Sequence, residues 1–212
     1  MNPPFLKEIA LDCDLPFDEQ TFPFSIPAIR KLKSLTFSAV TFFVGENGTG
    51  KSTLLEAIGA KLAIIRSEET HSVLHQYIRS GRTYIKPDET HYLPDAFVSA
   101  RNNLRRQHGE PLMGLLTQKL SGNGLYLFDE PETSLSPSRQ LNALIAMHKL
   151  VKRNSQLIIA TQSPIFLAYP KAKIYKLDSE GIREIWYDNT DHHRIMKETM
   201  NYPDEMLRVL LK

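Results

Sequence analysis

The 212-residue sequence contains very little cysteine and no long hydrophobic run. Its single cysteine, Cys13, excludes an intrachain disulfide and is typical of proteins that stay in a reducing cytosol. No apolar run approaches the roughly 20 residues that a membrane-spanning helix needs, and the first residues lack the order of a secretory signal. We therefore expect a cytoplasmic protein without a membrane segment.

An excess of charge of one sign is also lacking, because the formal net charge is only +2. This near balance does not indicate nucleic acid or an anionic membrane as a partner, although it leaves nucleic acid open. Hydrophobic residues make up 42% of the chain and charged residues 24%, as in ordinary globular proteins. We expect one α/β domain over residues 1–212, with a well-formed core.

Apolar runs and proline breaks predict how the chain is divided. Five prolines in the first 35 residues favour extended segments and turns there rather than helix, with residues 6–11 as an edge strand. Residues 67–121 are polar and interrupted by prolines, and we interpret them as a short, mostly helical insertion that includes the signature region discussed below. One or two short helices, broken at Pro203, are expected near the end of the sequence.

Short, continuous apolar runs predict the core of the sheet, and buried strands are expected at Val40–Val44, Leu125–Phe128 and Gln156–Ala160. Ser136-Pro137 has the pattern of a helix start, and the segment 173–187 has that of a β-hairpin. This alternation predicts a mainly parallel sheet flanked by helices, with an antiparallel edge.

A glycine-rich loop follows the first of these strands. Residues 45–52 read Gly-Glu-Asn-Gly-Thr-Gly-Lys-Ser, which is the spacing of a phosphate-binding loop between a strand and a helix. The glycines let successive backbone N–H groups point at an anion, Lys51 reaches the β- and γ-phosphates, and the Ser52 hydroxyl is a Mg²⁺ ligand. The residues expected to bind the nucleotide are Gly45, Glu46, Asn47, Gly48, Thr49, Gly50, Lys51, Ser52 and Thr53.

A pair of carboxylates, Asp129 and Glu130, ends the second strand. The carboxyl ends of parallel strands are where open α/β sheets bind ligands. We expect Asp129 to hold Mg²⁺ and Glu130 to act as the general base that polarises the attacking water. Together with the glycine-rich loop, these residues predict a nucleoside triphosphatase. ATP is the expected nucleotide, because no guanine-selecting Asn-Lys-x-Asp occurs.

The segments Asp129–Pro137 and Ile158–Pro164 resemble those of the ATP-binding-cassette (ABC) class of P-loop ATPases. More narrowly, they are similar to small stand-alone ATPases grouped with the cassette-type "AAA" proteins of bacteria. The resemblance covers residues 23–65 and 107–212. It implies a P-loop NTPase fold of ABC-ATPase type that hydrolyses MgATP to ADP and phosphate at the interface of a nucleotide-dependent, head-to-tail homodimer. The segment 134–137 would touch the partner subunit, and Gln162 would contact the γ-phosphate as a switch residue.

That family also requires a signature segment, which caps the ATP of the partner subunit. The segment 120–124 resembles it in letters but ends too close to Asp129 to leave room for a helix, so we interpret it as a turn. We choose Gln107, His108, Gly109 and Glu110 instead. Gln107 replaces the usual signature serine and Gln162 the usual switch histidine. Because glutamine can donate a hydrogen bond but carries no charge, we expect nucleotide binding with slow hydrolysis.

The sequence leaves three functions open. The first is a hydrolysing conformational switch for a partner protein that the sequence does not identify, in a process such as DNA repair or genome defence. The second is the nucleotide-binding subunit of a membrane transporter, which the short insertion and the lack of a convincing Q-loop glutamine disfavour. The third is a nucleotide-sensing module with little hydrolysis.

Several other residues have two interpretations each. Phe22 and Phe24 either stack on adenine or pack in the core. The arginines at 101, 105 and 106 and the pair His192-His193 are more consistent with solvated surfaces than with ligand sites. Gln76, Asp88 and Glu89 are weak stand-ins for a Q-loop residue.

Overall fold

The structure is a computed structural model that describes residues 5–12, 16–62, 73–81, 97–99, 111–114, 116–117, 120 and 122–211. Its nine strands within these ranges are β1 (Glu8–Leu11), β2 (Ser34–Thr36), β3 (Val40–Val44), β4 (Ile78–Gly81), β5 (Phe97–Ser99), β6 (Leu125–Asp129), β7 (Gln156–Ala160), β8 (Lys173–Asp178) and β9 (Gly181–Ile185).

The α-helices over the same ranges are α1 (Pro27–Arg30), α2 (Lys51–Lys61), α3 (Leu74–Tyr77), α4 (Pro111–Gly114), α5 (Pro137–Lys152), α6 (Pro164–Leu167), α7 (Asp191–Asn201) and α8 (Pro203–Leu210). In the described part of the chain, no helix is both long enough and apolar enough to cross a membrane.

The main sheet, as far as the structure describes it, has six strands in the order β5-β6-β7-β3-β8-β9. The first five are parallel, and only β9 runs antiparallel to its neighbour β8. β3, β6 and β7 are buried at every position, which explains why these strands read as continuous apolar runs. The predicted α/β class, with a mainly parallel sheet and an antiparallel edge, is confirmed. β3 lies beside β7, and β7 lies beside β6, so their carboxyl ends meet at one edge of the sheet.

A second, antiparallel sheet has the order β2-β1-β4 in the described residues. The strand expected at residues 6–11 is present as β1, but the expectation of an edge position is wrong, because β1 pairs with β2 on one side and β4 on the other. Its paired residues are 24 or more positions away along the chain, and such nonlocal pairing leaves no local signal.

Two further differences concern segments rich in proline. Pro27 begins the short helix α1 instead of an extended segment, as proline can when it occupies the first helical turn. Inside the expected helical insertion, the described residues include strands β4 and β5 as well as the four-residue helices α3 and α4. These strands are stabilised by pairing with β1 and β6, which lie outside the insertion.

Candidate functional site

The glycine-rich loop connects β3 to α2 and needs glycine for steric reasons. Gly45 has φ 149°, and a Cβ atom there would lie 2.3 Å from the backbone oxygen of Leu177. Gly50 is left-handed, with φ 98°, at the position that precedes α2. A residue with a side chain would be strained at either position. The loop therefore brings the open N–H groups of the first turn of α2 to the carboxyl end of β3, as an anion site requires.

Lys51 is only 4% exposed, and its ammonium is turned back into the loop. Nζ donates hydrogen bonds to the backbone oxygens of Gly45, at 2.7 Å, and Glu46, at 3.0 Å. Burial lowers the pKa of this ammonium, and the negative charges of Glu130 and Asp129 oppose that shift. The two carbonyl oxygens carry only partial negative charge, whereas a phosphate carries full negative charge. This lysine is therefore suited to bind a phosphate.

Ser52 and Asp129 meet at the expected metal position. The Ser52 hydroxyl donates to Oδ1 of Asp129 at 3.0 Å, and the aspartate is only 2% exposed. A hydroxyl and a carboxylate oxygen are the hard donors that Mg²⁺ prefers, with substrate phosphates and water as its remaining ligands. The donor set therefore fits magnesium. No cluster of three or more His, Cys, Asp or Glu side chains able to hold a metal ion occurs among the described residues.

Glu130 adopts a left-handed backbone conformation, with φ 48° and ψ 51°, directly after β6. Such a conformation in a residue with a side chain costs on the order of 1–2 kcal/mol and is typical of functional sites. The Glu130 N–H group donates to the Ala160 oxygen at 2.8 Å, which anchors the turn to the end of β7. The carboxylate lines the same cavity as the glycine-rich loop.

Gln162 follows β7 and joins three parts of the site. Its side-chain Nε2 donates to Oδ1 of Asn47 at 2.9 Å and to Oε1 of Glu130 at 3.2 Å. Its backbone N–H donates to Oε1 of Glu132 at 2.6 Å. A single residue therefore connects the glycine-rich loop, the expected general base and the turn after β6.

Glu132 belongs to this arrangement, although sequence reasoning did not single it out. Its Oε2 atom is buried and has no hydrogen-bond partner within the part of the chain that the structure describes. Burial raises the pKa of the carboxyl, and the hydrogen bond from the Gln162 N–H opposes the rise. The signal available in the sequence was a third carboxylate two residues after Glu130, but only the 3₁₀ turn Pro131–Ser134 turns it towards β7.

The glycine-rich loop and the carboxylates of Asp129 and Glu130 border a cavity of about 600 Å³. Phe22 is 48% exposed and lines it, so an adenine-stacking role stays a prediction for this residue. Phe24 is buried and stacks on Phe17 with a centroid separation of 4.1 Å, which supports core packing. The cavity is lined by Phe22, Ile26, Asn47, Gly48, Gly50, Lys51, Ser52, Thr53, Glu56, Asp129 and Glu130.

The signature segment 107–110 lies outside the described residues, as do the arginines at 101, 105 and 106 and the acidic pair at 88–89. Gln76 is described, but it is exposed on α3 and does not line the cavity. The described residues 122–124 form bends that lead into β6, which agrees with the interpretation of a turn.

The two adjacent histidines lie at the start of α7 and are half-buried rather than fully solvated. Burial lowers the pKa of His192, and the neighbouring Asp191 opposes the shift. His193 packs on the ring of Tyr187 at a centroid distance of 4.5 Å. The ring contact gives His193 a packing role at the start of α7.

No protein-family model matches the sequence, and no curated protein matches it. Among solved structures, the chain is similar to cbiO1 from Clostridium perfringens, which is part of the ABC transporter complex cbiONQ. The sequence identity is 13%, the TM-score is 0.52, and the similarity covers 98% of this chain and 99% of cbiO1. The SMC head domain from Thermotoga maritima is 13% identical, with a TM-score of 0.47, over 85% of this chain and 98% of that domain.

At 13% identity, the similarity to cbiO1 establishes the fold and nothing further. The chain has the ABC-type P-loop ATPase fold, as the resemblance of its motifs implied. The roles of the individual site residues stay predictions.

Proposed function

We propose that the chain binds MgATP in this cavity and hydrolyses it to ADP and phosphate. The observation that carries the proposal is the convergence of Lys51, the Ser52–Asp129 pair and Glu130 at the ends of neighbouring parallel strands. These are the groups that phosphoryl transfer to water needs: a cation for the phosphates, ligands for magnesium and a base for the water.

The contacts of the site residues indicate what each residue would do. Lys51 would exchange its two carbonyl partners for oxygens of the β- and γ-phosphates. Magnesium, held by Ser52 and Asp129, would neutralise phosphate charge. Glu130 would accept a proton from the attacking water. The oxygen of that water would bond to the γ-phosphorus while the bond from the γ-phosphorus to the bridging oxygen breaks, which releases ADP.

Gln162 would report the presence of the γ-phosphate. Its Nε2 group already contacts both the loop and Glu130, so a phosphate that competes for this donor would change both contacts. The neutral amide supplies less stabilisation than a charged histidine would. The hydrogen bond from Gln162 to Glu130 also supports a second candidate function, a nucleotide-sensing module with little hydrolysis. It occupies one carboxylate oxygen of Glu130, the expected general base.

The complete site would include a second copy of the chain. The segment 107–110 of that copy would cap the γ-phosphate, and the segment 134–137 would lie at the same head-to-tail interface. ATP would close this homodimer and hydrolysis would open it, so that the protein acts as a conformational switch for a partner, with DNA repair or defence as candidate processes. The fold is also compatible with a transporter subunit, since cbiO1 is part of an ABC transporter complex.

A comparison of wild type with Glu130→Gln tests the enzymatic function. Phosphate release in steady state measures hydrolysis, and calorimetry with MgATP measures binding separately. We expect both proteins to bind and the variant to release phosphate at least about 100-fold more slowly. If wild type binds MgATP but releases phosphate no faster than the variant, the sensing module replaces the enzyme. If neither folded protein binds a magnesium nucleotide, both proposals fail. Co-purification of Glu130→Gln with an integral membrane protein would favour the transporter subunit.

A further inference from the structure

Gln162 lies between a residue that belongs to the sheet and a residue that belongs to a helix. The Thr161 N–H group donates to the Phe43 oxygen at 3.1 Å, which continues the pairing of β7 with β3. Ser163 caps α6, because its hydroxyl oxygen accepts hydrogen bonds from two N–H groups of the first turn. The Gln162 N–H group is paired by neither element, so a side chain from elsewhere has to accept it.

Glu132 supplies that acceptor. Its Oε1 atom lies 2.6 Å from the Gln162 nitrogen, which is short for a hydrogen bond of this type. A hydrogen bond to a backbone N–H group fixes the peptide plane and with it the direction in which the side chain leaves the backbone. The Gln162 side chain needs such a fixed direction, because its Nε2 atom donates both to Asn47 and to Glu130.

A carboxyl group is a costly acceptor at this position. The Oε2 atom of Glu132 is buried and finds no hydrogen-bond partner among the described residues. Buried polar atoms are nearly always hydrogen-bonded, so an exception calls for an explanation. An acceptor needed for stability alone would not bring a second, unpartnered oxygen into the interior. The contact with Gln162 is therefore the feature that we use to explain the residue.

A second contact holds the other side of Gln162. The Ser163 hydroxyl donates to Oε1 of Gln140 at 2.6 Å, and Nε2 of Gln140 donates to the Leu135 oxygen at 3.1 Å. Leu135 directly follows the 3₁₀ turn that carries Glu132, so this turn and the segment after β7 are joined at two points. Because Ser163 keeps its own contact, loss of Glu132 should disturb Gln162 without unfolding the segment.

We propose that Glu132 is a positioning residue for Gln162: its carboxyl oxygen holds the backbone of that residue so that the side-chain amide lies between Asn47 and Glu130. The inference rests on the proposed function, in which this amide senses the γ-phosphate and contacts the general base. Glu132 is not among the described residues that line the cavity. Its effect on hydrolysis would therefore pass through Gln162.

The first test is steady-state phosphate release at varied ATP concentration. Glu132→Ala removes the acceptor and should lower kcat about tenfold with little change in KM, because Gln162 loses its orientation. Glu132→Gln keeps an oxygen for the same N–H group but carries no charge, and it should retain kcat within about threefold of wild type. Equal losses in the two variants would show that the charge of Glu132 acts rather than its hydrogen bond, and would overturn the proposal.

A double-mutant comparison tests whether the effect passes through Gln162. In a Gln162→Ala background, Glu132→Ala should lower kcat by less than about a further twofold. A further loss of about tenfold would mean that Glu132 acts independently, which would also overturn the proposal. The matched control is Thr190→Ala, which removes another buried side-chain oxygen that accepts a backbone N–H group, that of His193, outside the cavity. It should lower Tm but leave kcat unchanged.

Nuclear magnetic resonance without nucleotide separates this inference from the proposed function. The short contact should place the Gln162 backbone amide proton downfield. Glu132→Ala should move that proton upfield and also shift the side-chain amide resonances of Gln162, whereas Thr190→Ala should move neither. If wild type proves inactive, the proposed hydrolysis fails, but these shifts still decide the contact. Unchanged side-chain resonances in folded Glu132→Ala would overturn the positioning role.

Discussion

The central strands and the helices α7 and α8 use large apolar residues in opposite ways. β3, β6 and β7 bury every side chain and end at the cavity. α7 and α8 also carry large apolar residues, yet no residue of either helix is fully buried. The difference shows that apolar content predicts burial only where the fold supplies a neighbour. The strands have neighbours within this chain on both faces, whereas α7 and α8 leave apolar side chains exposed.

The largest expected effect contrasts the two regions directly. Ile158→Ala in β7 should lower the free energy of unfolding by about 2–5 kcal/mol, because the side chain is fully buried and truncation leaves a cavity. Leu210→Ala in α8 should change it by less than about 0.5 kcal/mol when the chain is dilute enough to be monomeric. Urea unfolding monitored by circular dichroism measures both. Equal effects would show that α8 packs on the core.

Lys51→Met should weaken MgATP binding by about 100-fold, because it removes the charge-assisted hydrogen bonds to phosphate. The empty protein should not lose thermal stability, since the methionine avoids the burial of an ammonium. Calorimetry measures the affinity and differential scanning fluorimetry the stability. The matched control is Lys61→Met at the exposed end of the same helix, α2, which should bind like wild type.

Gln162→Ala should lower kcat by about 10- to 100-fold with little change in KM, because it removes the donor shared by Asn47 and Glu130. Steady-state phosphate release at varied ATP concentration separates the two parameters. Gln76→Ala, at an exposed position on α3 outside the cavity, is the control and should leave both unchanged. A matching loss in Gln76→Ala would make that residue the missing Q-loop glutamine instead.

The smallest effect concerns pH. The pKa of Glu132 is higher in the folded protein than its ordinary value of 4.5, so the folded protein binds more protons than the unfolded chain between the two values. The free energy of unfolding contributed by this group therefore falls as pH rises through that interval.

Glu132→Gln keeps an oxygen for the Gln162 N–H but cannot ionise, so its Tm should decrease less than that of wild type as pH rises from about 4.5. Scanning fluorimetry across pH measures the difference. Glu180→Gln, in the exposed turn between β8 and β9, should follow the wild-type curve. Parallel curves for all three proteins would exclude the pKa shift.

The sequence predicted features that depend on residues close together along the chain, and it missed features that depend on contacts between distant segments. β3 and β7 were predicted with their observed bounds, and β6 within one residue, because a continuous apolar run between breakers is a local signal. β2 and β4 were missed, since both exist by pairing with β1 from distant positions. The break expected at Pro203 is confirmed, since it separates α7 from α8. The extended segment expected at Pro27 was wrong, because proline breaks a helix in its interior but can also begin one.

The site was predicted in the same uneven way. Lys51, Ser52, Asp129 and Glu130 were identified from motifs whose spacing is local, and the structure brings them together at one cavity. Glu132 was not identified, because its contact with the residue after β7 depends on how two strands lie side by side.

The sequence by itself determined the glycine-rich loop, the carboxylate pair and the apolar runs of the central strands, because each depends on neighbouring residues and on backbone sterics. Only the tertiary structure decided that Gln162 connects Asn47 to Glu130, that β1 is central in its sheet, and that apolar side chains of α7 and α8 stay exposed. These features depend on which distant segments meet. That choice follows from the packing of the whole chain, which no short stretch of residues specifies.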